Sequence, residues 1–204
     1  MIITIAIIVI TVLISVAAFQ NATIFHRLSF SPWLIAEKKQ NWRFVSYGLI
    51  HAGWAHLAVN MFVLYSFGRQ VEQAFSLIFG NEKGALFYIL LYLGGILFST
   101  LYDFARQKKD IYYHAVGASG AVASVLFSSI LLMPTSTLIV FPIPIPIPAW
   151  IFGILYLGYS MYMGKKGQDN IGHNAHFFGA VFGLVFPLIL KPELANFFLA
   201  QLFQ

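Results

Sequence analysis

Six stretches of this chain, near residues 2–19, 54–75, 84–104, 115–133, 147–163 and 174–190, are apolar over about the length a helix needs to cross the hydrocarbon core of a bilayer. Little polypeptide is left over. The predicted architecture is a single all-α membrane domain over residues 1–204, a bundle of six transmembrane helices. Composition agrees: 59% of the 204 residues are hydrophobic and only 9% are charged, against about 25% charged in a soluble domain. The first stretch has no basic residue ahead of it and runs the length of a full span, so it reads as a retained helix rather than a secretory leader.

What lies between the stretches reads as solvated connection. The first loop holds Glu37, Lys38, Lys39 and Arg43, the second Asn81 to Lys83, the third Arg106 to Asp110, and the fifth Lys165, Lys166 and Asp169. In the fourth, Pro142, Pro144, Pro146 and Pro148 alternate strictly, which favours extended backbone and stiffens a turn. Cysteine is absent, so neither a disulfide nor a thiolate nucleophile can figure in the chemistry. The net charge of +5 is scattered, without the basic stripe of a nucleic-acid binder.

Parity then selects residues. With six spans, the first, third and fifth loops share one side of the membrane. On that side His51 and His56 lead into the second helix, Ser119 into the fourth and His176 into the sixth. Ser119 lies five residues past His114 and His176 six past Asn170, which at the helical rise places both on the order of 10 Å below the polar edge. Polar groups at that depth are costly unless they face a partner or a wet cavity.

Gly117-Ala118-Ser119-Gly120 sets a serine among small residues at a helix start, where free backbone N–H groups and the positive dipole end favour developing negative charge. The same small residues also suit plain helix packing. His176 shares a helical face with Gly179 and Gly183, which admit a neighbouring helix at close range; if that neighbour is the fourth helix, the imidazole can take the serine proton. A hydrogen-bonded structural histidine is the plainer reading of His176 alone. In His51-Ala-Gly-Trp-Ala-His56-Leu-Ala-Val-Asn60, His56 and Asn60 stand four apart on one helix face as hydrogen-bond donors, or as a cluster that simply holds the first loop. The acidic positions are 37, 72, 82, 103, 110, 169 and 193, nearly all in loops, so no triad acid is evident.

HxxxxHxxxN at 51–60, GxSG at 117–120 and AHxxG at 175–179, in this order on these helices, resemble the rhomboid intramembrane serine proteases; Trp42-Arg43 and Glu72 also match that family's pattern. The resemblance covers the whole six-helix core. It implies Ser119 as nucleophile and His176 as base, with His56, Asn60 and the Ser119 N–H as the oxyanion hole. It also implies supporting roles for His51, Gly117, Gly120, Gly179 and Gly183, no cofactor or metal, and membrane-anchored proteins as substrates, cut within or beside a transmembrane segment. One position departs from the pattern: the aromatic residue many members carry four places after the serine is Ala123 here. His173, one turn before His176, lacks the following small-residue spacing.

The minimal core resembles prokaryotic members, which implies a cell (inner) membrane with the site opening to the non-cytoplasmic side. A positive-inside count points the other way, since the first, third and fifth loops carry nine of the 12 Lys and Arg residues. Two other functions fit some of the residues. One is a catalytically silent relative that binds membrane clients. The other is a metal hydrolase using His51, His56, His173 and His176, although no HExxH is present and the spacing of His51 and His56 turns them to different helix faces. A transporter would call for charged residues within the spans.

Overall fold

The computed structural model describes residues 2–140, 143–167 and 171–203; Pro142, Asp169 and Asn170 of the sequence reading lie outside them. Each of the six apolar stretches forms a helix: α1 (Ile2–Gln20), α5 (Trp54–Phe79), α6 (Asn81–Gln107), α7 (Ser119–Leu132), α8 (Ala149–Lys166) and α9 (His173–Leu190). Short helices α2 (Ala22–Leu28), α3 (Pro32–Lys38) and α4 (Arg43–Ser46) fill the first loop, and α10 (Leu194–Leu202) closes the chain. Among the described residues α1, α6 and α9 are long and apolar enough to cross a bilayer by length and composition. The protein is an all-α integral membrane protein.

Helix α7 organises the rest. Every residue from Gly120 to Leu132 is buried, and α5, α6, α8, α9 and α10 surround it. Its 14 residues span about 21 Å, well short of a hydrocarbon core about 30 Å thick. An element this short cannot reach both faces of a membrane, and Ser119 is its first residue. Helical hydrogen bonding starts at Ser119, four residues after the apolar stretch does, because the φ of +117° at Gly117 breaks the register.

Small residues set how closely the neighbours approach. A Cβ added to Gly179 of α9 would strike the carbonyl of Gly120, and one added to Gly183 the backbone of Ser124. Serine hydroxyls tie the same seam: Ser124 Oγ donates to Gly179 O (2.8 Å) and Ser128 Oγ to Gly183 O (2.7 Å). Backbones in contact with interhelical hydrogen bonds are how helices associate in lipid, where the hydrophobic effect gives no preference for one apolar neighbour over another.

Two readings need correction and one is sharpened. The first loop is not a solvated connector: Phe30, Ile35, Tyr47 and Ile50 are buried, α3 and α4 pack on α6, and the buried Arg43 guanidinium donates to the carbonyls of His26 and Ser29. Its charged residues distracted from an apolar face. The proline-rich segment forms β2 (Ile143–Pro148), antiparallel to β1 (Thr137–Val140), with Leu138 opposite Ile147. A two-stranded ribbon has only edges, where proline is tolerated. Charged residues also lie within the helices: Arg69 and Glu72 in α5 and Asp103 in α6. The Glu72 carboxylate accepts the Ile3 and Thr4 N–H groups (3.0 and 2.9 Å) and the Thr4 hydroxyl, so it caps the N-terminus of α1.

Candidate active site

Ser119 is the first residue of α7 and is half-buried. The turn before it is fastened at three points. Phe30 and Ala115 exchange backbone hydrogen bonds (2.9 and 3.1 Å), Gly117 N–H donates to Tyr47 O (3.0 Å), and Ala118 N–H donates to His51 Nε2 (3.3 Å). The first loop therefore serves as the frame of the serine turn. The N–H groups of Ser119, Gly120 and Ala121 precede the first intrahelical bond and point toward the open end of α7.

His56 lies against this turn. A Cβ on Gly117 would stand 2.5 Å from His56 Cε1 and 2.9 Å from Nε2, so glycine is required here both for its φ and for its lack of a side chain. Ala52 N–H donates to His56 Nδ1 (3.4 Å); an accepting Nδ1 puts the ring proton on Nε2, the ring nitrogen nearer the turn. Asn60 is buried one turn further along α5 and donates from Nδ2 to His56 O (2.9 Å), which leaves its second amide hydrogen.

His51 is not on α5. It is fully buried in the extended segment before the helix, and its ring meets that of His56 edge-on with centroids 5.0 Å apart. The two imidazoles thus converge, contrary to the divergent faces read from their spacing. Helical spacing does not apply across a helix start.

His176 sits in the first turn of α9, half-buried. The α7–α9 seam sets the start of α9 against the first turn of α7: Gly179 rests on Gly120, and a Cβ on Gly120 would come 3.3 Å from Ala175 O. No hydrogen bond joins the Ser119 hydroxyl to the His176 ring among the described residues. The ring packed near His176 is Tyr156 of α8, with centroids 6.3 Å apart and planes 31° apart. Ala123 lies in the buried layer with Phe127 and Ala180. An aromatic from α8 thus stands near the imidazole where the family pattern placed one on α7, a substitution that motif spacing within one helix could not reveal. His173 is buried one turn earlier, its ring 6.1 Å from that of His176.

Asp103 of α6 is buried between the segment before Ser119 and the start of α9. Tyr113 OH donates to Asp103 Oδ2 (3.0 Å) and Asn174 Nδ2 lies 3.5 Å from Oδ1. It ties the segment leading to Ser119 to the start of α9. Among the described residues no group of three or more His, Cys, Asp and Glu side chains is gathered as a metal site would need.

The arrangement offers a hydroxyl, an imidazole and several N–H donors around a half-buried helix N-terminus. Its relatives agree in kind. The rhomboid domain model matches residues 38–193. RHOMBOID-like protein 5 of Arabidopsis thaliana is 31% identical over 161 residues, 78% of this chain and 48% of that protein. RHOMBOID-like protein 12, mitochondrial, of the same plant is 30% identical over 137 residues, 64% of this chain and 40% of the relative. Rhomboid protein 1, mitochondrial, of Saccharomyces cerevisiae is 26% identical over 136 residues, 67% and 38% of the respective lengths. The chain spans about half the length, or less, of these curated relatives. A domain match over most of the chain, three-quarters coverage at 31% identity and an apolar helical bundle together place this protein in the rhomboid family, whose members are usually serine proteases working in membranes.

Proposed function

We propose that the protein is an intramembrane serine endopeptidase working through a Ser119–His176 dyad. The observation that carries this reading is the seam between α7 and α9, where Gly179, three residues after His176, rests on Gly120, the residue after Ser119. His176 takes the hydroxyl proton as Ser119 Oγ bonds to the scissile carbonyl carbon, and the carbonyl becomes an oxyanion. The Ser119 N–H, His56 Nε2–H and the second hydrogen of Asn60 Nδ2 are its donors. The imidazolium then returns the proton to the departing amine, and a water that loses its proton to His176 hydrolyses the acyl-enzyme.

Supporting roles divide as the contacts suggest: Gly117 makes room for His56, Gly120, Gly179 and Gly183 allow the helices to meet, and His51 holds the Ala118 peptide. The substrates are transmembrane proteins reached from the bilayer, cut in or beside their spans by a single domain of six apolar helices with the short α7 at their centre. A non-cytoplasmic site in a prokaryotic membrane rests on the family resemblance alone. The relatives named above from yeast and plant include mitochondrial proteins.

The missing Ser119–His176 hydrogen bond favours a second reading, a silent relative that binds membrane clients. Catalytic hydrogen bonds are often long before substrate arrives, so the gap does not disqualify the dyad. Labelling by a serine-directed fluorophosphonate decides between them. Wild type should label, and Ser119→Ala and His176→Ala should not; an unlabelled wild type refutes the protease.

A further inference from the structure

Ser15 is a buried hydroxyl on α1, a helix that packs on α5, α2 and the turn at Tyr47–Leu49. Serines in apolar helices commonly bond back to their own helix four residues earlier, as Ser66 does to Phe62 O in this protein. Ser15 instead reaches out of its helix, to Leu49 O (3.0 Å) and His51 Nδ1 (3.0 Å). Those two bonds and the bond from Ala118 N–H to His51 Nε2 form one chain from α1 to the residue before the nucleophile.

Proton counting gives the chain a direction. The Ala118 N–H can only donate, so Nε2 is the bare nitrogen of a neutral ring and Nδ1 bears the proton. That proton goes to Ser15 Oγ, whose own hydrogen goes to Leu49 O. Ser15 and His51 are both at 0% exposure and Ala118 at 1%, so their polar groups are out of contact with bulk water. With Ser15 gone, the proton on Nδ1 has no acceptor, and moving it to Nε2 would set one N–H against another at Ala118.

We propose that Ser15 is a positioning residue of the active site. It fixes the His51 tautomer, which holds the Gly117–Ala118 peptide plane and thereby aims the neighbouring Ser119 N–H and side chain. The same hold commits the Ala118 N–H inward, so that donor is withheld from the oxyanion. The inference rests on the protease reading of Ser119, but the hydrogen-bond chain is separately measurable.

The test compares wild type, Ser15→Ala, His51→Ala and the double variant in detergent. It follows the rate of fluorophosphonate labelling at saturation and the concentration for half-saturation, with hydrogen exchange of the peptide spanning residues 115–122. For Ser15→Ala the saturating rate should fall about three- to tenfold, the loss of one buried hydrogen bond. Half-saturation should be unchanged, and Ala118 amide protection should drop. The double variant should label no more slowly than His51→Ala, because both act through one link. Labelling of Ser15→Ala at the wild-type rate, unchanged Ala118 protection, or additive losses would each overturn the proposal. Should wild type fail to label, the protease reading falls, and exchange at Ala118 alone then supports or overturns the hold.

Discussion

Gly179→Ala tests the seam on which the active-site reading stands. The added Cβ would lie 2.8 Å from the Gly120 carbonyl carbon and 3.0 Å from its Cα, closer still to the carbonyl oxygen. Ordinary contact for such an atom begins near 3.4 Å, and backbone cannot rotate aside as a side chain would. In a close-packed interior α9 must therefore move off α7 by roughly 0.5–1 Å. Overpacking of this kind costs about 1–3 kcal/mol of stability. Misplacing a reacting group by about 1 Å costs on the order of 10²-fold in rate. Gly179→Ala should thus remain folded, with a lowered Tm, yet label with fluorophosphonate roughly a hundredfold more slowly. Gly158→Ala in α8 is the matched control, since its Cβ meets nothing within 4 Å; it should be neutral, or stabilising by up to about 1 kcal/mol through helix propensity. Wild-type labelling by Gly179→Ala would show that the dyad does not depend on contact between α7 and α9.

Tyr156→Ala should slow labelling several-fold by loosening the His176 ring, whereas Tyr156→Phe, which keeps the ring, should stay within about twofold; equal losses would mean that the hydroxyl matters instead. Asn60→Ala should lower the labelling rate by at most about 10²–10³, the contribution of one oxyanion donor, with Ser119→Ala losing all of it; an unchanged rate would remove Asn60 from the oxyanion hole. Glu72→Gln should weaken the cap on α1 by about 1–3 kcal/mol, read as a lower Tm with labelling per folded molecule preserved; an undiminished Tm would show that α1 is held by its apolar and small-residue contacts alone.

Some of this was legible in the sequence and some was not, for physical reasons. Helices α1, α5, α6, α8 and α9 are written in apolar runs because lipid demands them. The first loop was misread because its side chains alternate between charged residues that mark an edge and Phe30, Ile35, Tyr47 and Ile50, which turn inward. Helix α10 escaped notice because a short apolar tail is below the length of a span. Its Gln201 side chain donates to Leu132 O (3.3 Å), where it caps the last turn of α7. Tyr156 and Ser15 were invisible for a deeper reason: each acts across helices, and nothing in a linear pattern says which residue of α8 or α1 will face a given imidazole.

The short length of α7 connects these observations. A helix of 14 residues would have to be stretched to span from rim to rim, and Gly117, Ala118, Gly120 and Ala121 around its N-terminus are buried, with their N–H groups away from bulk water. Lipid cannot satisfy those donors, and each left bare is costly. The surrounding elements therefore have to descend to meet them: the segment at Ala115, the Tyr47 carbonyl and the His51 ring satisfy the turn up to Ala118. Satisfaction stops there. Beyond Ala118, the Ser119, Gly120 and Ala121 N–H groups precede the first intrahelical bond, and on the proposed reading they are the donors offered to a carbonyl oxygen gaining negative charge. A fold that needed α7 only for packing would have closed this end as it closes the other, where Gln201 covers Leu132 O.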